Sequence, residues 1–172
     1  MRAYTHALGG LALTSFLFLY TNALGSDCTP AVIAAGVLGA VLPDIDHPKS
    51  KISNSFLVTK LASRVVSSVT VHRGMCHSLF FVILCVALAQ LAIHWYLPHW
   101  NATIPLWLGT GMVSHLFLDW LNPMGIQWFW PLGKRRNLLS IKTGGTGERI
   151  IATLLLVADI QLLYFCFSSQ IM

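Results

Sequence analysis

Charge is scarce in this chain. Asp, Glu, Lys and Arg make up 10% of its 172 residues, where a soluble domain carries about 25%, so there is too little charge to cover a solvated globular surface. Missing motifs narrow the chemistry. No HExxH stretch is present, which removes a zinc-peptidase helix of that type. No G-x-S-x-G elbow is present, which argues against a serine esterase. The stretch "KTGGTGE" at 142–148 is too short for a Walker loop and lacks its trailing Lys-Ser/Thr, and reads as a flexible turn. Cys28, Cys76, Cys85 and Cys166 show no C-x-x-C spacing and read as free thiols. Of these, Cys76 stands between Met75 and His77 and is a weak candidate ligand. The net charge of +5 comes from Lys and Arg between the apolar runs and needs no nucleic acid to explain it.

What the chain has is apolar length. Hydrophobic residues make up 55% of it, gathered into segments 5–24, 30–43, 76–97, 104–121 and 149–169. A helix needs about 20 apolar residues to span hydrocarbon roughly 30 Å thick; the first, third, fourth and fifth qualify, and the second is short. Arg2 before the first run resembles a signal peptide, but Asp27 spoils a lipoprotein cleavage box at Cys28 and no A-x-A-like site follows. The expected fold class is all-α: a polytopic membrane helical bundle of about five transmembrane or membrane-entering helices, forming one domain over 1–172.

The basic residues alternate from link to link. Arg2 precedes the first segment; Lys49, Lys51, Lys60, Arg64 and Arg73 lie in 44–75; Lys134, Arg135, Arg136 and Lys142 lie in 122–148; links 25–29 and 98–103 have none. Lys and Arg in short loops are held on the cytoplasmic side. All five segments should therefore cross the membrane, with the N-terminus inside and the C-terminus outside.

That topology sends the chemistry-bearing residues to one end. His6, then Asp44, Asp46 and His47 of "LPDIDHP", His72 and His77 of "HRGMCHS", and His115 and Asp119 of "SHLFLDWLNP" all fall at inner ends. His115 and Asp119 are four apart and share a helical face. His72 and His77 would point about 140° apart on an ideal helix, so both face one site only if Gly74 marks a break. Pro43 and Pro48 hold "DIDH" as a non-helical corner, and Pro123 should end the fourth helix near Asn122. An ionised Asp in the bilayer centre costs roughly 2.5 to 3.5 kcal/mol, so clustered acids need a compensating cation. Imidazoles beside carboxylates suit a divalent metal, zinc preferred and manganese second.

Other polar residues read as structural. His94 and His99 stand at the opposite face among Trp95, Tyr96 and Trp100, where aromatic rings favour the interface. Asp159 sits mid-span in "LLVADIQLL" and is expected to hydrogen-bond a neighbouring helix. "QWFWP" followed by "GKRRN" reads as an interfacial anchor beside charges that attract anionic lipid. Residues 50–71 suit a helix lying in the inner interface, weakened by the β-branched run "RVVSSVTV".

His6, "LPDIDHP", "HRGMCHS" and "SHLFLDWLNPMG" followed by "WP", in that order over about residues 6–131, resemble the bacterial inner-membrane metal-dependent hydrolase family described as YdjM-like or LexA-regulated. The order is also distantly similar to zinc-dependent phospholipase C and the fungal single-strand nucleases. That similarity implies metal ligands at His6, Asp44 or Asp46, His72 or His77, His115 and Asp119. Those enzymes also use an N-terminal amine and a second His-x-x-x-acid pair; neither is found in this sequence, which implies one or two ions rather than three.

The expected function is a membrane-embedded, metal-dependent hydrolase. A metal with an open position activates water and polarises a phosphoryl oxygen, and whichever of Asp44 and Asp46 is not a ligand serves as general base. Arg73, Arg135 and Arg136 are placed to bind phosphate of a phospholipid or lipid-linked substrate at the cytoplasmic face. The rivals are a non-catalytic metal-binding transport or sensory protein and a scaffold.

Overall fold

The computed structural model describes residues 1–21, 30–46, 74–97 and 99–168. Five helices form within them: α1 (Ala3–Thr21), α2 (Pro30–Val41), α3 (Leu79–Tyr96), α4 (Ile104–Trp120) and α5 (Thr146–Ser168), with 3₁₀ turns at Leu42–Asp46 and Met75–His77. The all-α helical bundle expected from the apolar runs is what forms, one helix to each run. His47, His72, Arg73, Cys28 and the proposed interfacial helix at 50–71 lie outside the described residues. Cys76, Cys85 and Cys166 are thiols.

Local chemistry sets the boundaries. Pro30 opens α2 at the first helical position, where its missing N–H costs no helical bond. Ser78 caps α3, its hydroxyl accepting from Phe81 N at 3.3 Å and donating to Met75 O at 2.6 Å. α4 stops at Trp120, just short of Pro123. Beyond it the chain does not run loose. Ile126 and Arg136 pair as an antiparallel bridge, and the side chain of Gln127 donates to the carbonyls of Pro131, Leu132 and Gly133. The turn at "KTGG" is likewise closed by Gly145 N to Lys142 O at 3.0 Å, so the expected flexible turn is an ordered cap on α5.

α1, α2 and α4 form the centre of the bundle, with α3 packed on α4 and α5 packed on α1. Glycine makes the central contacts close. A Cβ on Gly111 of α4 would overlap the Gly36 carbonyl of α2, and one on Gly39 would overlap the Leu108 carbonyl. Small residues at such positions let helix backbones approach directly, the packing mode favoured in lipid.

The outer helices are inside out by soluble standards. Ile83, Leu88 and Leu91 of α3 and Leu154, Ile160 and Tyr164 of α5 are exposed, while Thr5, His6, Thr14, Ser15, His115, Asp119, Glu148 and Asp159 are buried. Apolar exposure on that scale marks a surface made for lipid. Leu79–Tyr96 and Thr146–Cys166 are long and apolar enough to cross a membrane. α2, with 12 residues, reaches only about 18 Å. His94, Trp95, Tyr96 and Trp100 are exposed at the end opposite His77, as an interfacial belt requires.

Candidate metal centre

The helices run alternately up and down, so one end of the bundle collects the start of α1, the end of α2, the start of α3 and the end of α4. His6 stands in the first turn region of α1 and His115 and Asp119 in the last turns of α4. Asp44 comes from the 3₁₀ turn after α2, and His77 from the one before α3. The turn at Met75–His77 resolves the spacing problem in "HRGMCHS": the helix begins only at Leu79, so His77 is free of the α3 face and turns into the bundle.

Two donor groups share His115. His6, His115 and Asp119 form one and Asp44, His77 and His115 the other, each with its donor atoms within 4.8 Å of one another. The two groups interlock. His115 Nε2 lies 3.2 Å from His77 Nε2, 3.8 Å from Asp44 Oδ1 and 3.8 Å from Asp119 Oδ2. His77 Nε2 lies 3.7 Å from Asp44 Oδ1 and 3.5 Å from Asp119 Oδ2. His6 Nε2 stands 3.4 Å from Asp119 Oδ1, and its ring stacks on that of His115 with centroids 3.8 Å apart.

These spacings pass a fit test for a metal. Donors about 2.0 to 2.2 Å from a zinc ion sit roughly 3.3 Å from one another in a tetrahedron, within the range of 3.2 to 3.8 Å found here. The tautomer of His115 also suits it. Nδ1 lies 2.7 Å from the Ala40 carbonyl, which can only accept, so Nδ1 carries the proton and a neutral ring turns the Nε2 lone pair to the centre. A carbonyl that accepts from the far nitrogen of a ligating histidine orients the ring in this way. His6 Nε2, the nitrogen facing Asp119, is buried with no hydrogen-bond partner among the described residues, as suits a donor aimed at an ion.

Asp44 is the open edge. Its side chain is 20% exposed against 1% for Asp119. Burial would raise its carboxyl, but the neighbouring His77, with Nε2 3.7 Å away, and the imidazoles of His115 and His6 outweigh that and hold it well below the usual carboxylate range. It is therefore an anion at neutral pH, suited to a cation or to accepting a proton.

Of the eight residues expected as ligands, five meet: His6, Asp44, His77, His115 and Asp119. Asp46 ends the 3₁₀ turn, two residues beyond Asp44. Cys76 is buried but is outside both donor groups. Arg135 and Arg136 are exposed on the 126–136 hairpin, next to the exposed Phe129 and Leu132. Asp159 is buried in α5, and neither carboxylate oxygen has a hydrogen-bond partner among the described residues; the expected bond to a neighbouring helix is not made.

Two groups at this end escaped sequence reasoning. The Met1 amino group donates to Asp119 Oδ1 at 2.5 Å, so an amine of the kind used by the phospholipase C-like enzymes, and expected to be missing here, stands beside the centre. Glu148 is buried against the start of α1; its signal was a glutamate placed three residues after Gly145, the position from which an acid reaches back to cap its own helix.

The fold and the site together define a helical membrane protein with a buried imidazole–carboxylate centre at one end of the bundle. Residues 1–170 match the YdjM inner membrane protein family, and the chain belongs to that family. It is 35% identical over 173 residues to the uncharacterized protein YvsG of Bacillus subtilis (strain 168), a match covering 99% of each chain. It is 32% identical over 130 residues to the inner membrane protein YdjM of Escherichia coli (strain K12), which covers 73% of this chain and 63% of that one. The YdjM protein of Shigella flexneri matches to the same extent. No solved structure matches the chain. Family membership and the two long apolar helices place the protein in the inner membrane.

Proposed function

We propose that this protein is a metal-dependent hydrolase, a phosphoesterase acting on a phospholipid or lipid-linked phosphate at the cytoplasmic face of the membrane. The observation that carries the reading is the convergence of His6, Asp44, His77, His115 and Asp119 from four separate stretches of chain at donor spacings of 3.2 to 3.8 Å. The Met1 amino group pairs with Asp119, while the Asp44 carboxylate and the facing imidazole nitrogens are left to a further cation; these donors suit zinc, with manganese as the second candidate.

His115 and Asp119 would hold the ion together with His6 on one side or His77 on the other. When bound, the metal supplies Lewis-acid polarisation of a phosphoryl oxygen and lowers the pKa of water. Asp44, anionic and at the accessible edge, takes the proton from the attacking water, or shares that role with Asp46. Arg135 and Arg136, and Arg73 beside the His77 turn in sequence, bind phosphate oxygens at the headgroup level. The positive-inside rule sets this end of the bundle, the N-terminus included, in the cytoplasm, with the chain crossing several times.

A metal-binding transport or sensory role is the second reading. Asp159, buried and with no hydrogen-bond partner among the described residues, favours it by extending polar character into the bilayer. The two separate in one assay. Detergent-solubilised protein loaded with zinc or manganese is incubated with extracted membrane lipids, and release of phosphate or headgroup is followed. The hydrolase reading expects turnover that disappears in Asp119→Asn; a folded, metal-loaded preparation that consumes no lipid moves the assignment to the non-catalytic reading.

A further inference from the structure

Contacts from neighbouring groups orient His115 and the His77 turn, and the Met1 amino group holds Asp119; none of these reaches His6. His115 is turned by the Ala40 carbonyl at 2.7 Å. The His77 turn is tied by Ser78 Oγ to Met75 O at 2.6 Å and by Leu79 N to Trp128 O at 2.9 Å. His6 Nδ1, by contrast, is buried with no hydrogen-bond partner among the described residues. Its ring is placed by the seat of α1 and by stacking on His115.

The seat of α1 is made by Glu148. This carboxylate is fully buried at the start of α5. Oε1 accepts from Arg2 N at 2.5 Å and from Thr5 Oγ1 at 3.0 Å, and Oε2 accepts from Gly144 N. One side chain thus satisfies orphan donors at two helix starts, its own and that of α1, where the two positive dipole ends favour an anion. Capping acids ordinarily serve their own helix; here the same device joins two. The link to the ligand is short: the Arg2 residue whose N–H is held by Glu148 offers its carbonyl to His6 N at 3.2 Å.

We propose that Glu148 is a positioning residue for the metal centre, fixing the height of α1 against α5 and so holding the His6 imidazole among the other donors. The proposal rests on the metal-centre reading.

The test compares full-length wild type, Glu148→Ala, Glu148→Gln, His6→Ala and the two double variants in detergent. Cobalt(II) binding is followed by visible absorption and zinc affinity by competition. Glu148→Ala should weaken binding about 10- to 100-fold, the range for lost orienting partners, and change the cobalt spectrum. Glu148→Gln, which keeps one carbonyl acceptor, should fall between. In the His6→Ala background either change should cost nothing more, because the ligand it positions is already gone. A structural role without positioning would weaken binding by the same factor in both backgrounds, and that result overturns the proposal, as does wild-type affinity in Glu148→Ala. If Glu148→Ala does not fold, the Glu148→Gln pair carries the same comparison. A wild type that binds neither cobalt nor zinc overturns the metal reading and this proposal with it; a wild type that binds, with additive variants, overturns this proposal alone.

Discussion

The Nε2 atoms of His77 and His115 face each other at 3.2 Å, although one residue precedes α3 and the other stands near the end of α4, 38 positions on. Because His115 Nδ1 is committed as a donor to Ala40 O, two imidazole nitrogens with their carboxylate neighbours converge on one point. A cation there relieves the convergence. Loading with zinc should therefore stabilise the protein, by about 2.7 kcal/mol at a free concentration 100 times Kd. Thermal unfolding in detergent with and without chelator measures this, and His115→Ala should remove the difference. An equal midpoint for the two states of the wild type would speak against the centre.

Much of this site was legible because lipid limits where polar residues can stand. His6, Asp44, His77, His115 and Asp119 were each found by asking which ionisable residues fall at the inner end of an apolar run, and four-residue spacing placed His115 and Asp119 on one face. The end of α4 followed from Pro123, and Gly74 marked the break ahead of His77. What escaped was set by tertiary contact. Ala40 orients His115 through its carbonyl, and Glu148 acts on a helix more than 140 residues away in sequence. The stretch "KTGGTGE" looked loose, but a local turn bond from Gly145 N to Lys142 O and a tertiary one from Asn122 Nδ2 to Thr143 Oγ1 order it together.

Asp119 and Asp44 should separate binding from turnover. Asp119→Asn removes an enclosed charge facing His6, His77 and the Met1 amino group, so metal affinity and hydrolysis should both collapse. Asp44→Asn, at the open edge, should keep much of the metal while cutting turnover by roughly 10² to 10⁴. Parallel metal titrations and lipid-phosphate assays decide it; equal losses of affinity in the two variants would make Asp44 an ordinary ligand and leave Asp46 as the base.

Gly111 carries the close approach of α4 to α2. A Cβ there overlaps the Gly36 carbonyl, which cannot move aside as a side chain can. Gly111→Val should destabilise by about 1 to 3 kcal/mol or more and shift the Ala40 carbonyl away from His115. Gly109→Ala is the control, since its Cβ meets Val86 Cγ2 at 2.7 Å, the end of a side chain. Similar thermal midpoints for the two variants would contradict the packing argument.

The orientation of the bundle is open to chemical labelling. Ser140, exposed in the loop after α4, is expected in the cytoplasm. As Ser140→Cys in a cysteine-free background it should resist a membrane-impermeant thiol reagent in intact cells and react once the cells are opened. Labelling of intact cells would place the centre on the other face and rule out a cytoplasmic substrate.

The most direct test of the metal centre is the metal content of the protein itself, purified without chelator and without a histidine-rich tag. Elemental analysis should find about one zinc or manganese ion per chain, in keeping with a single interlocked donor set, and a loss of most of it in His115→Ala and in Asp119→Asn. A folded wild type free of divalent metal that also takes none up on titration, or variants that retain as much metal as the wild type, would contradict the account.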